Sequence, residues 1–170
     1  MSYLISEEAK DLLLDVRNFC EKEVVEVCKE ADKTGEWAED LYEMAKEQGY
    51  FALEVPEELG GPGLSRVDIA ALFEEMAKAD AGFATTISAS GLGMKPVLIA
   101  GSEEQKNYVA DIAMEGGLGA FCLTEPGAGS DASSGFRVII VIEANSYVNI
   151  RSSRLLPKFK TQKINSWCAA

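Results

Sequence analysis

The 170-residue chain contains no histidine. This absence excludes a Ser-His-Asp triad, a histidine-ligated metal and histidine acid–base chemistry within the chain. The four cysteines, Cys20, Cys28, Cys122 and Cys168, form no C-x-x-C pair, and the eight-residue spacing of the first two does not suit a metal site on one helix. We therefore expect ordinary reduced thiols and no metal.

Long apolar runs and basic targeting segments are also missing. The start, MSYLISEEAK, is acidic and lacks the apolar core of a secretory signal, and runs such as Val138–Ile142 are too short to span a bilayer. We expect a cytoplasmic protein without membrane contact. The net charge of −12 argues against nucleic-acid binding, because phosphates would be repelled. It still permits an anionic ligand held by local amides and hydroxyls.

Apolar residues recur at helical spacing as far as about residue 115. The pattern predicts one long helix ending near Gly35, a second closed by Gly49, and a loop through the Pro/Gly-rich stretch up to Gly63. S-x-x-D at Ser65 and S-x-x-Q at Ser102 predict two capped helix starts. Between them, residues 81–100 form an apolar segment, predicted to be a buried helix that Gly91, Gly93 and Pro96 bend or divide.

The pattern changes at LGAFCLTE, which is short, apolar and bounded by glycines, and therefore predicts a buried strand. The predicted fold is mainly α: an orthogonal helical bundle followed by the first strands of an incomplete β-domain. We predict a helical domain over residues 1–116, a partial β-domain over 117–150 and a disordered tail over 151–170.

The stretch FCLTEPGAGSD, residues 121–131, combines a strand end, a Pro-Gly turn and a small-residue loop. Its small side chains would let a flat ring or a pyrophosphate approach main-chain N–H groups, and Thr124 and Ser130 could add hydroxyl donors. Spacing alone favours a plain turn between two strands, because Pro-Gly and Gly-Ser are ordinary turn residues.

The longer stretch AFCLTEPGAGSDASSG resembles the flavin-binding signature of the acyl-CoA dehydrogenase family. Upstream, LEVPEELGGPGLS, ALFEEMAKADAGFATTIS and GSEEQKNYVADIAMEGGLGAFCLTEP resemble that family's N-terminal helical domain, in the expected order. The resemblance covers about residues 1–135. It implies an enzyme that uses FAD to remove two hydrogens from the α and β carbons of an acyl-CoA thioester. It also implies electron transfer to an electron-transferring flavoprotein, and a homo-oligomer.

The resemblance also implies site residues. Thr124 would hydrogen-bond the isoalloxazine, and Ser130 would reach both the FAD pyrophosphate and the CoA ester. The implied cofactor-binding residues are Phe121, Cys122, Leu123, Thr124, Glu125, Pro126, Gly127, Ala128, Gly129 and Ser130. The implied substrate-binding residues are Ser130 together with Ile87, Ser90, Gly91 and Met94 on the small-residue helix. For these last four, a plain core role is equally compatible with their apolar helical setting.

The match stops after Gly135. Residues 1–135 carry 27 acidic and 10 basic side chains, whereas residues 136–170 carry one acidic and six basic. The family's second flavin wall, a Trp-Ile-Thr-like strand, has no counterpart in RLLPKFKTQKINSW, so Trp167 is not given that role. The charge switch suggests a frameshift or truncation of a longer gene, and the remaining alternative is a genuine basic arm.

No catalytic residue is assigned, since the family's carboxylate base comes in most members from a C-terminal domain that this sequence does not contain. Glu125 and Asp131 are better explained as turn residues. We therefore expect an acyl-CoA dehydrogenase-like flavoprotein fragment that is inactive as this chain alone. The alternative is a non-enzymatic helical module that uses exposed apolar faces to bind a partner or itself.

Overall fold

The computed structural model describes residues 5–122, 129–130, 138–142, 146–150 and 160–163. It confirms a mainly helical chain in which strands follow helices. The elements are α1 (Glu7–Phe19), α2 (Val25–Thr34), α3 (Glu39–Glu47), α4 (Arg66–Ala79), α5 (Ala81–Ala100), α6 (Glu103–Met114), β1 (Gly119–Cys122), β2 (Val138–Ile142), β3 (Ser146–Ile150) and β4 (Lys160–Lys163).

α1 and α2 form one helical run, as the periodicity predicts, but a π-helical segment over Cys20–Val24 joins them. The run begins at Ser6, whose hydroxyl accepts a hydrogen bond from the Ala9 N–H, 3.2 Å away. It ends at Gly35, whose φ of 71° is the left-handed conformation that glycine adopts without strain. Caps at both ends are local, which is why the sequence predicts the extent of the run.

α4 begins at the predicted capping box. The Ser65 hydroxyl accepts from the Asp68 N–H, and the Asp68 carboxylate accepts from the Ser65 N–H. The same carboxylate accepts from the N–H of Ser6, 2.9 Å away, so one side chain serves the starts of α1 and α4. The S-x-x-Q prediction at α6 is also confirmed, because Ser102 and Gln105 exchange the equivalent pair of hydrogen bonds.

One compact unit comprises residues 1–88 and 114–116. Its hydrophobic core draws on α1 to α4, on the first half of α5 and on the 3₁₀ turn Tyr50–Ala52. Phe19 packs edge-on against Tyr50, with ring centroids 5.3 Å apart. The Tyr42 hydroxyl donates to Thr86. The largest fully buried side chains of this unit are Val16, Val24, Leu41, Leu72, Met76, Phe83 and Ile87.

The other compact unit comprises residues 89–113 and 117–170. Its described strands form an antiparallel sheet in the order β1-β2-β3-β4. β1 pairs with β2 so that Gly119 lies opposite Ile142 and Cys122 lies opposite Ile139. β4 lies within the segment 151–170 that the sequence predicts to be disordered, and the rest of that segment lies outside the described residues. The predicted domain boundaries stay predictions.

α5 runs unbroken from Ala81 to Ala100, with Pro96 inside it. The helix is therefore not divided, and the alternative prediction, that it bends, stays a prediction. Its two central glycines, Gly91 and Gly93, are both buried. In the described part of the chain, α5 is the one helix long and apolar enough to cross a membrane, a test that core helices of soluble proteins also pass.

Candidate functional site

β1 carries the first two residues of the predicted cofactor-binding segment. The backbones of Phe121 and Cys122 end this strand and pair with Ile140 and Ile139 of β2. Residues 123–128, including Thr124 and Glu125, lie outside the described residues. Their predicted roles toward a flavin therefore stay predictions.

Gly129 and Ser130, the last two residues of that segment, form an exposed bend. A Cβ placed on Gly129 would meet no atom within 4 Å, so the space on that side of the residue is open. Ser130 adds a hydroxyl that can donate to a phosphate or a carbonyl oxygen. This part of the segment fits a group such as FAD, which needs uncovered amides and few side chains.

The four candidate substrate residues lie on one buried face of α5, at positions 87, 90, 91 and 94. Ile87 packs into the hydrophobic core of the first unit. The prediction that these residues border an acyl chain stays a prediction.

Ser90 and Met94 contact the start of β1. Ser90 is 1% exposed, and its hydroxyl accepts from the Gly119 N–H at 2.7 Å and donates to the Gly117 carbonyl at 3.4 Å. A Cβ placed on Gly119 would lie 3.3 Å from Cγ of Met94. Both side chains therefore pack against the segment that leads into β1.

Gly93 also contributes to this contact, although the sequence indicates it only as a helix-bending residue. A Cβ on Gly93 would lie 2.8 Å from the Ala120 nitrogen and 2.9 Å from the Gly119 carbonyl carbon, closer than real Cβ atoms approach. The sequence signal was its position three residues after Ser90, on the same helical face.

The buried carboxylates with clearly shifted pKa values are both held by partners. Hydrogen bonds from Arg17 and Lys78 lower the pKa of Glu75 to about 2, and hydrogen bonds from Ser65 and Ser6 lower that of Asp68. A general base for neutral pH needs a pKa nearer 7 and a free lone pair, so neither group suits that role. The described residues also contain no acidic or cysteine cluster that could hold a metal ion.

The family model for the acyl-CoA dehydrogenase N-terminal domain matches residues 6–116. The very long-chain specific acyl-CoA dehydrogenase of Rattus norvegicus mitochondria is 36% identical over 148 residues. That alignment covers 86% of this chain and 22% of the relative. The chain therefore spans under a quarter of that relative's length.

Solved structures of acyl-CoA dehydrogenases are also similar to this chain. Butyryl-CoA dehydrogenase from Megasphaera elsdenii has a TM-score of 0.69 and 30% identity, covering 86% of this chain and 39% of that one. An acyl-CoA dehydrogenase complexed with FAD from Bacillus anthracis has a TM-score of 0.65 and 34% identity, covering 86% and 26%. The family model, the sequence identity and the structural similarity thus agree, and the chain belongs to the acyl-CoA dehydrogenase family.

Proposed function

We propose that this chain provides the N-terminal helical domain and the first flavin-contacting segment of an FAD-dependent acyl-CoA dehydrogenase. The observation that carries the proposal is the direct succession of the matched domain, residues 6–116, and β1, whose end leads into TEPGAGSD. A strand followed by a small-residue loop presents main-chain donors at a fixed place.

The chain's own residues would bind and orient rather than react. Thr124 would donate its hydroxyl to the flavin ring, while Ser130 and the main chain of Gly129 would hold the pyrophosphate or the CoA ester. FAD, when bound, would accept the hydride that leaves the β carbon of the thioester. The segment's contribution is therefore the placement of two reactants, which accounts for a large part of the rate in such reactions.

This chain by itself is expected not to turn over substrate. Abstraction of the α proton needs a carboxylate of suitable pKa, and the buried carboxylates Asp68 and Glu75 are ionised and fully engaged. We propose that acyl-CoA and an electron-transferring flavoprotein are the partners of the complete enzyme, which would form a homo-oligomer.

Flavin titration of the purified chain tests the proposal. We expect saturable FAD binding, seen as quenched flavin fluorescence, with a dissociation constant of about 10 µM to 1 mM because only part of the site is present. Thr124→Val and Ser130→Ala should each weaken it about threefold or more. Thr85→Val is the matched control, because Thr85 is exposed and its hydroxyl donates to the Ala81 carbonyl within α5. Absence of saturable binding, or an equal loss in the control, contradicts the proposal.

Two exposed side chains favour the alternative of an interaction module. Leu92 and Ile99 lie seven residues apart on α5, are 49% and 71% exposed, and therefore share one helical face. Self-association measured by sedimentation velocity, without flavin and abolished by Leu92→Gln with Ile99→Gln, would support this alternative. A monomer that binds FAD supports the first proposal.

A further inference from the structure

We infer that Ser90 and Gly93 are positioning residues, which fix the start of β1, the strand that directly precedes the candidate cofactor-binding residue 123. The positioning of β1 is argued from the geometry of α5 and β1. The consequence for flavin rests on the proposed function.

The Ser90 hydroxyl bridges two main-chain groups that lie on either side of Leu118. It accepts from the Gly119 N–H at 2.7 Å and donates to the Gly117 carbonyl at 3.4 Å. The side chain is almost completely buried, so no water replaces it easily. Removal of this hydroxyl would leave the half-buried Gly119 N–H without that partner, which is costly.

Glycines on both sides bring the two backbones together. A Cβ on Gly93 would lie 2.8 Å from the Ala120 nitrogen, and a Cβ on Gly119 would lie 2.6 Å from the Ser90 carbonyl oxygen. A methyl group at either position must push β1 away from α5. The separation of the helix from the strand is therefore set by main-chain contact rather than by adaptable side chains.

β1 is only four residues long, and residue 123 follows it directly. Its pairing with β2, from Gly119 opposite Ile142 to Cys122 opposite Ile139, makes it a unit that moves together. A displacement at Gly119 is thus passed along the backbone of β1 as far as Cys122. Binding of a rigid ring is sensitive to displacements of about 0.5 Å.

Ordinary core packing would give a different result. If Ser90 and Gly93 only fill space, their substitution lowers stability but leaves the amides of β1 and the flavin affinity of the folded fraction unchanged. If they position β1, both properties change in protein that remains folded. Rescue by a residue that keeps the hydroxyl separates the two cases further.

The experiment compares Ser90→Ala, Ser90→Thr and Gly93→Ala in the full chain. Ser88→Ala is the matched control, because the Ser88 hydroxyl donates within α5, to the Thr85 carbonyl. Hydrogen exchange of peptides spanning residues 119–130 and the FAD dissociation constant are measured below the unfolding transition of each variant. Ser90→Ala should speed exchange and weaken FAD about tenfold, and Gly93→Ala should do the same. Ser90→Thr should recover most of both, and Ser88→Ala should change neither.

Exchange and affinity within about twofold of the parent chain in folded Ser90→Ala and Gly93→Ala would overturn the inference, as would Ser90→Thr behaving like Ser90→Ala. If Gly93→Ala does not fold, the comparison of Ser90→Ala with Ser90→Thr tests the inference. A parent chain that binds no FAD would contradict the proposed function instead. In that event, the difference in β1 exchange between Ser90→Ala and Ser88→Ala still decides whether the strand is positioned by the hydroxyl.

Discussion

Glu75 shows how a single side chain joins two helices. Its carboxylate accepts from Nε of Arg17 on α1 at 2.8 Å and from Nζ of Lys78 on its own helix at 2.9 Å. The Glu75 side chain is 10% exposed, whereas Arg17 and Lys78 remain largely in solvent. The buried partner therefore depends on the two cations, and these bonds hold its pKa at about 2.

Replacement of this carboxylate gives the first prediction. Glu75→Gln should lower the free energy of unfolding at pH 7 by about 1–2 kcal/mol, because charge-assisted hydrogen bonds are lost. The folded pKa of about 2 lies below the ordinary 4.5, so the stabilisation is complete above about pH 4.5 and disappears as the pH falls toward 2. Urea unfolding at several pH values measures the difference between the variant and the parent chain.

Glu74→Gln is the control for this prediction. Glu74 is 64% exposed and contacts only Lys78 among the described residues, at 3.4 Å, so its removal should change little. A Glu75→Gln difference that stays constant from pH 7 to pH 2.5 would show that the loss comes from packing rather than from the ionised carboxylate.

Cys20 and Cys28 give a second prediction at this scale. Burial raises the pKa of both Cys20 and Cys28 from 9.0 to about 11, so very little reactive thiolate exists near pH 8. Both should react with iodoacetamide about 100-fold more slowly in the native chain than in 8 M urea. Peptide mass spectrometry follows each residue, and equal native and unfolded rates would disprove the prediction.

At the scale of elements, two helix caps of the same kind differ in the number of helices that they contact. The Ser65–Asp68 box is partly buried, and Asp68 also accepts from Ser6 at the start of α1. The Ser102–Gln105 box is exposed and serves α6 alone. The first cap therefore contributes to tertiary structure as well as to helix formation.

Substitutions in the two caps separate the contribution to helix formation from the contribution to tertiary structure. Asp68→Ala should cost about 2 kcal/mol of unfolding free energy, because three main-chain or hydroxyl donors lose their acceptor. Ser102→Ala should cost about 0.5–1 kcal/mol, the usual value for an exposed cap. Chemical denaturation of both variants provides the comparison. Equal losses would mean that the bond from Ser6 adds nothing.

These elements also show what the sequence could predict. Helix caps depend on residues close in sequence, so Ser65, Ser102 and Gly35 could be recognised from local patterns. The short apolar stretch LGAFCLTE, bounded by glycines, indicated where a strand follows the helices. The π-helical segment Cys20–Val24 has no such signal, since its two buried residues, Cys20 and Val24, are four apart, a spacing that an ordinary α-helix also gives. Its presence had to come from the structure.

The candidate site was harder to predict than the fold, because its contacts are distant in sequence. Ser90 and Gly119 lie 29 residues apart, and only the fold shows that the hydroxyl serves the strand. The sequence indicates Gly93 only as a residue that bends the helix. In the structure, the absence of a side chain at Gly93 allows α5 to contact β1. The partnership of Arg17 with Glu75, 58 residues apart, is of the same kind.

The whole molecule carries an excess of negative charge. Its net charge is −12, and residues 1–135 hold 27 acidic against 10 basic side chains. Most described ion pairs are exposed and join residues three apart on one helix, such as Lys10 with Glu7 and Lys29 with Glu26. Such pairs contribute little each, so repulsion among the unpaired carboxylates should dominate the response to salt.

We therefore expect sodium chloride to stabilise the fold. Between about 20 mM and 500 mM, the melting temperature should rise by about 2–5 °C, because salt shortens the range of repulsion more than it weakens the few effective ion pairs. Asp32→Asn with Glu47→Gln removes two exposed charges from the last turns of α2 and α3, where they oppose the helix dipole. This double variant should melt higher at low salt and respond less to added salt. A melting temperature that falls with salt would instead show that the exposed ion pairs outweigh the repulsion.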